Sequence, residues 1–559
     1  MNKVSRRAFI GSTATAAAFS VFSNQAIGSV FVNQATNVDA SQNTTCYYIS
    51  PKGNDANDGL SPSTAWASIT KANQVTLTPG SMLLFEGGGV YRGTLQIGPN
   101  AGGDAKNPVL IASYGTGRAT IDSGDEDGIV IEESTGVIVL NINLAGSGRN
   151  INEGKIGVKL VKSDFVVVDH VEVWGFQLAG VMVWGGCEHV RITNVYAHDN
   201  GYCGICSGYR DRTRAMNRHI YVGYCKTNNN LGISDREKYA NFRDQSGSGI
   251  NIQRVENGLV EFCESAYNGG DSYHAQNNGP VGIWLAGCRH VTVQFCISHH
   301  NDSYTSDGGG FDFDSGCRYC IFQFNYSYRN KGCGYLLCAY SSSESQRLVN
   351  CTMRYCISEN DSWHDDHVAG IFIWNGDVQE MNVYNNVIYN ESGRGCLRSR
   401  KSNPDMRFFN NIFILRGEGY FIREREVLEE DLNLTIQNNC YWRLDGDGRP
   451  HPGSFAGCDT LEAFRAKFGH EMLDGKPVGI YANPLLQEPG AESGLTDPTK
   501  LPEFLAYRIQ DSSPCIAKGL NLRKRFGIST GERDFYGNPL PSDGACNIGL
   551  HQPIIAAQS

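Results

Sequence analysis

The segment DGGGFDFDSG carries two carboxylates, Asp312 and Asp314, that alternate with Phe311 and Phe313. Successive side chains of a β-strand point to opposite faces. If the phenylalanines fill a core, both aspartates therefore stand on the other face, with Cβ atoms roughly 6.5 to 7 Å apart. Asp307 lies in the preceding loop, close enough in sequence to join them. A register shift of one residue would bury the carboxylates instead.

A pair of carboxyl groups at this separation can cleave a glycosidic bond by inversion. One group, with a raised pKa, acts as general acid, and the other activates water. The same residues, Asp307, Asp312 and Asp314, could instead ligate Ca²⁺ through oxygen atoms. A third interpretation is that they are polar residues on a solvated face. Four glycines bracket the pair, and this pattern favours a functional role.

A repeat in the sequence indicates the scaffold that positions these residues. Short stretches of alternating apolar residues end in asparagine at Asn200, Asn230, Asn268, Asn301, Asn330, Asn360 and Asn390, so the steps are 30, 38, 33, 29, 30 and 30 residues. Each repeat contains two or three strands with a period of two and no helix. The sequence therefore predicts an all-β solenoid, a parallel β-helix whose coils stack at about 4.8 Å.

Aligning the strands that follow a glycine in successive repeats places several side chains on one outward face. Aromatic rings on that face can stack on the apolar side of a sugar ring, and cationic groups can bind a uronate carboxylate or a sulfate. Inserted loops beside these strands add histidines that could contact a substrate. The predicted substrate-binding residues are Trp184, Asn251, Trp284, Trp374, Arg398, Arg400, Lys401, His274 and His364.

The N-terminal part of the repeat region resembles a known class of proteins. Residues 46–126 open with CYYISPKGNDANDGLSPSTAWASITKAN and continue with GGGVYRG. These motifs resemble the start of secreted right-handed parallel β-helix proteins of the pectin-lyase-like class, in which a short helix caps the first coil. The resemblance covers most of the chain, and it implies coils over residues 127–445.

The region after the coils differs in character. Residues 446–559 contain one amphipathic pattern, which predicts a helix over Thr460 to Phe468, and then loops punctuated by proline. The segment PCIAKGLNL, residues 514–522, resembles part of the C-terminal trailer of exported β-helix proteins. We expect this region to cap the solenoid, because an uncapped end would expose the apolar interior and a free sheet edge.

Residues 1–30 resemble a twin-arginine export signal, with Arg6 and Arg7 before Phe9 and an alanine-rich apolar stretch. This resemblance implies a periplasmic or extracellular protein. Six of the 19 cysteines recur at similar places in successive repeats, which predicts stacked buried thiols rather than disulfides; they are Cys187, Cys225, Cys263, Cys296, Cys320 and Cys356. A net charge of −10 without a basic run argues against nucleic acid as a partner, and no apolar run after residue 30 is long enough to span a membrane.

The aspartate rung and the strands around it, GPVGIW and NYSYRNKGCGYLL, resemble those of a group of carbohydrate-associated bacterial β-helix proteins. The resemblance implies a carbohydrate-associated protein. The carboxylate pair on an aromatic face favours an exported enzyme that acts on an oligo- or polysaccharide. The first hypothesis is a glycoside hydrolase that uses Asp312 and Asp314, with Asp307, and needs no cofactor. The second is a polysaccharide lyase with Ca²⁺ and a base from Arg398, Arg400 or Lys401. The third is a non-catalytic glycan-binding protein. The G-H-G and R-I-K motifs of polygalacturonases are absent.

Overall fold

The computed structural model describes residues 44–208, 215–234, 246–272, 279–305, 307–339, 344–364, 368–374, 378–391, 395–400, 405–423, 434–446, 448–490, 494–540 and 544–552. The chain divides into two compact units, the first ending at Val260 and the second beginning at Glu261. The predicted fold class is confirmed, because both units consist of parallel strands wound as the coils of a right-handed β-helix. The predicted bounds of the caps and the coils remain predictions.

Each coil of the first unit crosses three parallel sheets in turn. Its first sheet contains β1 (Cys46–Ile49), β2 (Met82–Glu86), β5 (Val109–Tyr114), β8 (Thr135–Leu140), β11 (Asp164–Asp169), β14 (Glu188–Thr193), β17 (Asn217–Gly223) and β20 (Val255–Glu261), which ends at the boundary. The second sheet contains β3 (Val90–Arg92), β6 (Ala119–Gly124), β9 (Ile142–Gly146), β12 (Glu172–Trp174), β15 (Tyr196–His198) and β18 (Lys226–Asn228). The third contains β4 (Leu95–Ile97), β7 (Ile129–Glu132), β10 (Ile156–Val161), β13 (Ala179–Trp184), β16 (Cys203–Ser207) and β19 (Ser248–Gln253).

The second unit repeats this arrangement. Its first sheet contains β23 (Arg289–Gln294), β26 (Ile321–Gln323), β30 (Thr352–Arg354), β34 (Met381–Tyr384), β37 (Met406–Phe409) and β40 (Thr435–Gln437). The second sheet contains β21 (Glu264–Ala266), β24 (Ile297–His299), β27 (Tyr326–Tyr328), β31 (Ile357–Glu359), β35 (Val387–Asn390), β38 (Ile412–Leu415), β41 (Cys440–Arg443) and β44 (Ile480–Tyr481). The third contains β22 (Val281–Ala286), β25 (Gly309–Phe313), β28 (Tyr335–Cys338), β32 (Ile371–Trp374), β36 (Gly395–Ser399) and β39 (Tyr420–Arg423).

The remaining elements are short. Two further pairs are β29 (Leu348–Val349) with β33 (Val378–Gln379), and antiparallel β42 (Met472–Leu473) with β43 (Lys476–Pro477). The helices are α1 (Ile69–Ala72), α2 (Leu461–Phe468) and α3 (Leu522–Phe526), with 3₁₀ turns at Pro62–Thr64, Glu344–Gln346, Pro498–Glu503 and Leu505–Tyr507. Within the described ranges no helix is long and apolar enough to cross a membrane. Helix α2 confirms the predicted helix, and the Thr460 hydroxyl caps it by accepting a hydrogen bond from the Ala463 N–H.

The coils turn at residues in the left-handed backbone conformation, although the turn residues are mostly not glycine. In the second unit, Phe262, Phe295, Phe324 and Tyr355 have φ between 49° and 58° at the turn between the first and second sheets. This conformation costs roughly 1–2 kcal/mol for a residue with a Cβ. Their rings stack with centroids 4.9 to 5.8 Å apart, and such stacking offsets the cost.

The repeated asparagines form buried hydrogen-bonded ladders. In the first unit, Asn200 donates to Asn230. In the second unit, Asn268 donates to Asn301, Asn301 to Asn330, and Asn330 to Asp361, at Nδ2···Oδ1 distances of 2.8 to 2.9 Å. The sequence pattern had placed Asn360 in this series, but the structure puts Asp361 there. Asn360 instead adopts the left-handed conformation (φ 52°) of the preceding turn position, which asparagine tolerates well.

All 19 cysteines lie within the described residues and all are free thiols, most of them buried. The predicted equivalence holds for Cys225, Cys263, Cys296 and Cys356, which each follow a left-handed residue at the turn before a second-sheet strand. It is wrong for Cys187 and Cys320, which directly precede first-sheet strands. Burial raises the pKa of the Cys356 thiol to about 12, which keeps it protonated and unreactive.

Candidate active site

Parallel pairing in the third sheet of the second unit fixes the register of the aspartate rung. Strand β25 lies between β22 and β28, and the pairing continues through β32 to β36. Phe311 and Phe313 point into the core and are fully buried. The side chains on the opposite side of the sheet form a single row of Trp284, Asp312, Leu336, Phe372 and Arg398.

This outward row is covered rather than solvated. Asp312 is only 5% exposed, and Trp284 only 4%. Within the described residues, Asp312 Oδ1 has no hydrogen-bond partner. Burial raises the pKa of Asp312 well above its ordinary value, and the charges of Asp314 and Asp307 raise it further. Burial and the two neighbouring charges therefore both favour the protonated form of Asp312, and its side chain does not face open solvent.

Asp307 lies in the loop before β25 and is partly exposed as a residue. The Gly279 N–H donates to its Oδ2 at 2.6 Å. Burial of its carboxyl group raises the pKa of Asp307 to about 7. The hydrogen bond from Gly279 lowers this pKa, and the charge of Asp314 raises it further. Asp307 is thus poised to hold or release a proton near neutral pH.

Asp314 follows β25 directly and is more exposed than Asp312. Its backbone N–H donates to the Leu285 carbonyl at 2.8 Å, which ties it to the neighbouring coil. Its Oδ1 accepts a hydrogen bond from the Ser315 N–H at 2.6 Å, which stabilises negative charge on the carboxylate. Within the rung, Asp314 and Asp307 are therefore the partly exposed residues, whereas Asp312 is buried.

Gly279 is essential to this arrangement, although sequence reasoning missed it. A Cβ added there would lie 2.5 Å from the Asp307 Cβ and from the Ser303 Oγ, and 2.7 Å from the Thr305 Oγ1. The position therefore accepts only glycine without displacement of the loop. Its signal in the sequence was the Gly279-Pro280 pair before β22, which indicates a turn but not its contact with Asp307.

The predicted cationic and aromatic residues of the second unit pair with one another. The Arg400 guanidinium lies over the Trp374 ring at 4.3 Å, and the Arg398 guanidinium over the Phe372 ring at 5.8 Å. Arg398 is 7% exposed, whereas Arg400 is exposed and Trp374 is partly exposed. In the structure, therefore, Arg400 lies against the Trp374 face that was predicted to stack on sugar.

Two predicted substrate-binding residues belong to the first unit. Trp184 is partly buried against an apolar cluster that includes Met182 and Cys206. Asn251 aligns with Cys206 on the adjacent strand and is fully buried. Its Nδ2 donates to the Tyr202 hydroxyl at 2.9 Å. Asn251 therefore supports packing in the structure, and any contact with substrate remains a prediction.

The loop residues divide between described and undescribed parts of the chain. His364 is exposed, and its ring lies edge-on to Trp363 with centroids 5.5 Å apart. His274 and Lys401 lie outside the described residues.

Among the described residues, no three or more His, Cys, Asp or Glu side chains are grouped so that they could hold a metal ion. Burial raises the pKa of Asp312, and metal ligation requires the deprotonated carboxylate. The predicted Ca²⁺ set of Asp307, Asp312 and Asp314 stays a prediction.

Comparisons with known proteins give one sequence relative and several structural neighbours. No family model matches the chain. A lacto-N-biosidase from Bifidobacterium longum subsp. longum is 24% identical over 488 residues, covering 68% of this chain and 29% of that protein. The present chain therefore spans less than a third of the length of this relative.

Among solved structures, the GH136 lacto-N-biosidase from Eubacterium ramulus matches with a TM-score of 0.50 and 16% identity, covering 74% of this chain and 68% of that chain. The pectate lyase Pel9A matches with a TM-score of 0.45 and 14% identity, covering 92% of this chain and 97% of that chain. The chain is thus similar in sequence to one lacto-N-biosidase, and its fold is similar to that of another.

Proposed function

We propose that this protein is a glycoside hydrolase in which Asp307 is the general acid and Asp314 is the second catalytic carboxylate. The observation that carries the proposal is geometric: Asp307 and Asp314 flank the same strand as partly exposed residues, and each carboxyl group accepts a backbone hydrogen bond, from Gly279 and Ser315 respectively. Burial, together with the charge of Asp314, raises the pKa of Asp307 to about 7. Glycoside hydrolysis needs one carboxyl group that keeps its proton near neutral pH and one that is ionised. The similarity to a lacto-N-biosidase supports the same reaction class.

Each residue of the rung then has a distinct task. Asp307 donates its proton to the leaving oxygen, and the Gly279 N–H holds the carboxyl group in place at 2.6 Å. Asp314, with the Ser315 N–H at Oδ1, acts on the anomeric carbon either directly or through water. Asp312 is buried, interacts electrostatically with both residues and acts as a positioning residue. The proposal therefore replaces the pair predicted from sequence, Asp312 and Asp314, with Asp307 and Asp314.

The substrate proposal rests on the relatives' names. We propose a glycan that carries lacto-N-biose as the first substrate to test, because both named relatives are lacto-N-biosidases. Asp307→Asn and Asp314→Asn should each lower kcat/KM at least about a hundredfold, as expected for loss of a general acid or of the partner carboxylate. Asp312→Asn should retain activity within about tenfold, because the neutral amide resembles the protonated acid.

Leaving-group dependence separates the two roles. Asp307→Asn should lose much less activity on a dinitrophenyl glycoside than on the oligosaccharide, because a good leaving group needs no proton. Asp314→Asn should lose activity equally on both. Asp445→Asn, which breaks a surface ion pair with Arg443, serves as the folded control.

Full activity in folded Asp307→Asn and Asp314→Asn would refute the assignment. An inactive Asp312→Asn with an active Asp307→Asn would restore the pair predicted from sequence. Products that absorb in the ultraviolet as unsaturated uronides would instead identify the lyase predicted as an alternative.

We also propose that the protein is exported. Free thiols throughout the chain fit folding in a reducing compartment before export through a twin-arginine route. Cell fractionation of the full chain, with Arg6→Lys and Arg7→Lys together as the variant, tests this. Export that persists in the double variant would argue against the twin-arginine signal.

A further inference from the structure

A cavity of about 570 Å³ lies on the second unit over the turns that follow the strands of the second sheet. Its lining includes Tyr267, His300 and Arg329, each of which directly follows one of the strands β21, β24 and β27. All three have φ between 51° and 56°. Because they occupy the same position in successive coils, their side chains leave the solenoid in one row. The volume falls within the range of about 300–1,000 Å³ typical of ligand sites.

Two large aromatic rings of this cavity are held in place but remain exposed. Tyr267 is 48% exposed and Trp363 is 47% exposed. Tyr267 stacks on His300 with ring centroids 5.0 Å apart, and the Trp363 Nε1–H donates to the Arg329 carbonyl at 3.3 Å. Such rings present a flat apolar surface, and because they are already held by other residues, their side chains lose little conformational entropy when a ligand binds. They suit the apolar C–H face of a sugar ring.

The cavity lining carries charges of both signs, Asp302 and Glu391 against Arg329. Asp302 pairs with Lys331 at 2.9 Å, and Glu391 pairs with Arg416 at 3.0 Å. Arg329 influences the buried Glu359 electrostatically. The pKa of His300 is lowered to about 4 by burial and by the charges of His299 and Arg329, so His300 is neutral at physiological pH. The two carboxylates among the described lining residues are therefore each paired with a cation, and these residues present no cluster of like charges to a charged ligand.

We propose that this cavity binds a neutral oligosaccharide, with Trp363 and Tyr267 as stacking platforms and Asp302, Arg329 and Glu391 as hydrogen-bonding partners of its hydroxyl groups. Carboxylates accept hydrogen bonds and the guanidinium donates them, so the set matches hydroxyl groups, which do both. The inference rests on these residues alone and does not depend on which aspartates carry out catalysis.

Binding is measured on the full chain carrying Asp307→Asn, which the proposed mechanism makes inactive, so that ligands survive the titration. The neutral probes are lacto-N-tetraose, cellotetraose and galactotetraose, and trigalacturonate is the charged probe. Calorimetric titration should detect at least one neutral probe. Trp363→Ala should weaken that binding at least about tenfold, and Tyr267→Ala should also weaken it, as loss of a stacking platform predicts.

Tyr319→Ala is the matched control, because Tyr319 is 49% exposed but does not line the cavity. Tyr319→Ala in the Asp307→Asn background should bind the probe as tightly as Asp307→Asn alone. Circular dichroism checks that each variant is folded. The proposal is overturned if no neutral probe binds, if both aromatic variants bind as the parent does, or if only trigalacturonate binds. Failure of the wild-type enzyme to hydrolyse any glycoside would refute the catalytic proposal without affecting this result.

Discussion

Asp361 occupies a position in the second unit's ladder that suits an amide better than a carboxyl group. Asn330 donates to Asp361 Oδ1 through both its backbone N–H and its Nδ2, at 2.9 and 2.8 Å. One coil earlier, Asn330 Nδ2 donates to the hydroxyl of Ser327, three residues before it. At Asp361 the direction of this hydrogen bond is reversed, because the hydroxyl of Ser358 donates to Asp361 Oδ2 at 2.7 Å. The substitution Asp361→Asn would supply the missing donor. We therefore expect it to stabilise the protein at neutral pH.

The magnitude follows from the buried carboxyl group. Asp361 is 1% exposed, and burial raises its pKa to about 7, against the lowering effect of its hydrogen bonds. A shift of this size corresponds to at most about 4 kcal/mol of folding free energy lost by the wild type at and above neutral pH. Reorganisation around the site reduces the gain, so we expect Asp361→Asn to gain about 1–3 kcal/mol in unfolding free energy near pH 8.

The pH dependence identifies the cause. Below the unfolded pKa, near 3.8, Asp361 is protonated in both states and costs the wild type nothing. As pH rises towards 7, the unfolded carboxyl group ionises while the folded one keeps its proton, so the wild type loses stability relative to the variant. Above about pH 7 the difference becomes constant. The advantage of Asp361→Asn should therefore grow between about pH 4 and pH 7 and then level off.

Scanning calorimetry together with amide hydrogen exchange in the peptides around residues 326–361 measures this advantage at about pH 4.5, 6 and 8. Asn330→Asp is the matched control, because it adds a second carboxyl group to the same ladder and should destabilise the protein as pH rises. A stability difference between Asp361→Asn and the wild type that does not change with pH would refute the reasoning. So would a variant that is less stable at pH 8.

Three further predictions concern the site and the thiols. The kcat/KM of the wild type should fall about tenfold per pH unit above about pH 7, because Asp307, whose pKa is about 7, must be protonated to act as an acid; a profile flat to pH 9 would contradict this. Gly279→Ala should lower kcat at least about tenfold by displacing Asp307. Gly98→Ala is the control and should leave kcat unchanged, because a Cβ there meets nothing within 4 Å. Equal kcat values of the two variants would count against the Gly279 contact. In denaturant without reductant, all 19 cysteines should react with Ellman's reagent; a lower count would reveal disulfides.

The β-helix was predictable because its signals are local and repeated. The asparagine spacing and the period-two strands each depend only on near neighbours in sequence, and the alternation of Phe311 and Phe313 with the aspartates followed from the same rule. The row of Trp284 and Asp312 was likewise predictable, since parallel pairing keeps equivalent positions of successive coils in register.

The accessibility of the aspartates was not predictable in this way. Asp312 and Asp314 alternate with phenylalanine in the same way, yet Asp312 is buried and Asp314 is partly exposed. Their exposure depends on which residues from other parts of the chain cover each position on the face. The cavity residues Tyr267, Arg329 and Trp363 were also missed. Their one signal was that Tyr267 and Arg329 directly precede ladder asparagines, a position that the structure shows to be the outward turn.

The sequence by itself determined the coil, its period and the register of its strands, because backbone hydrogen bonding and side-chain alternation repeat with every turn of the solenoid. Only the tertiary structure decided which carboxyl groups are accessible, which pKa values are raised and which aromatic rings stay exposed. Those properties depend on desolvation and charge contributed by residues distant in sequence, and no local pattern records them.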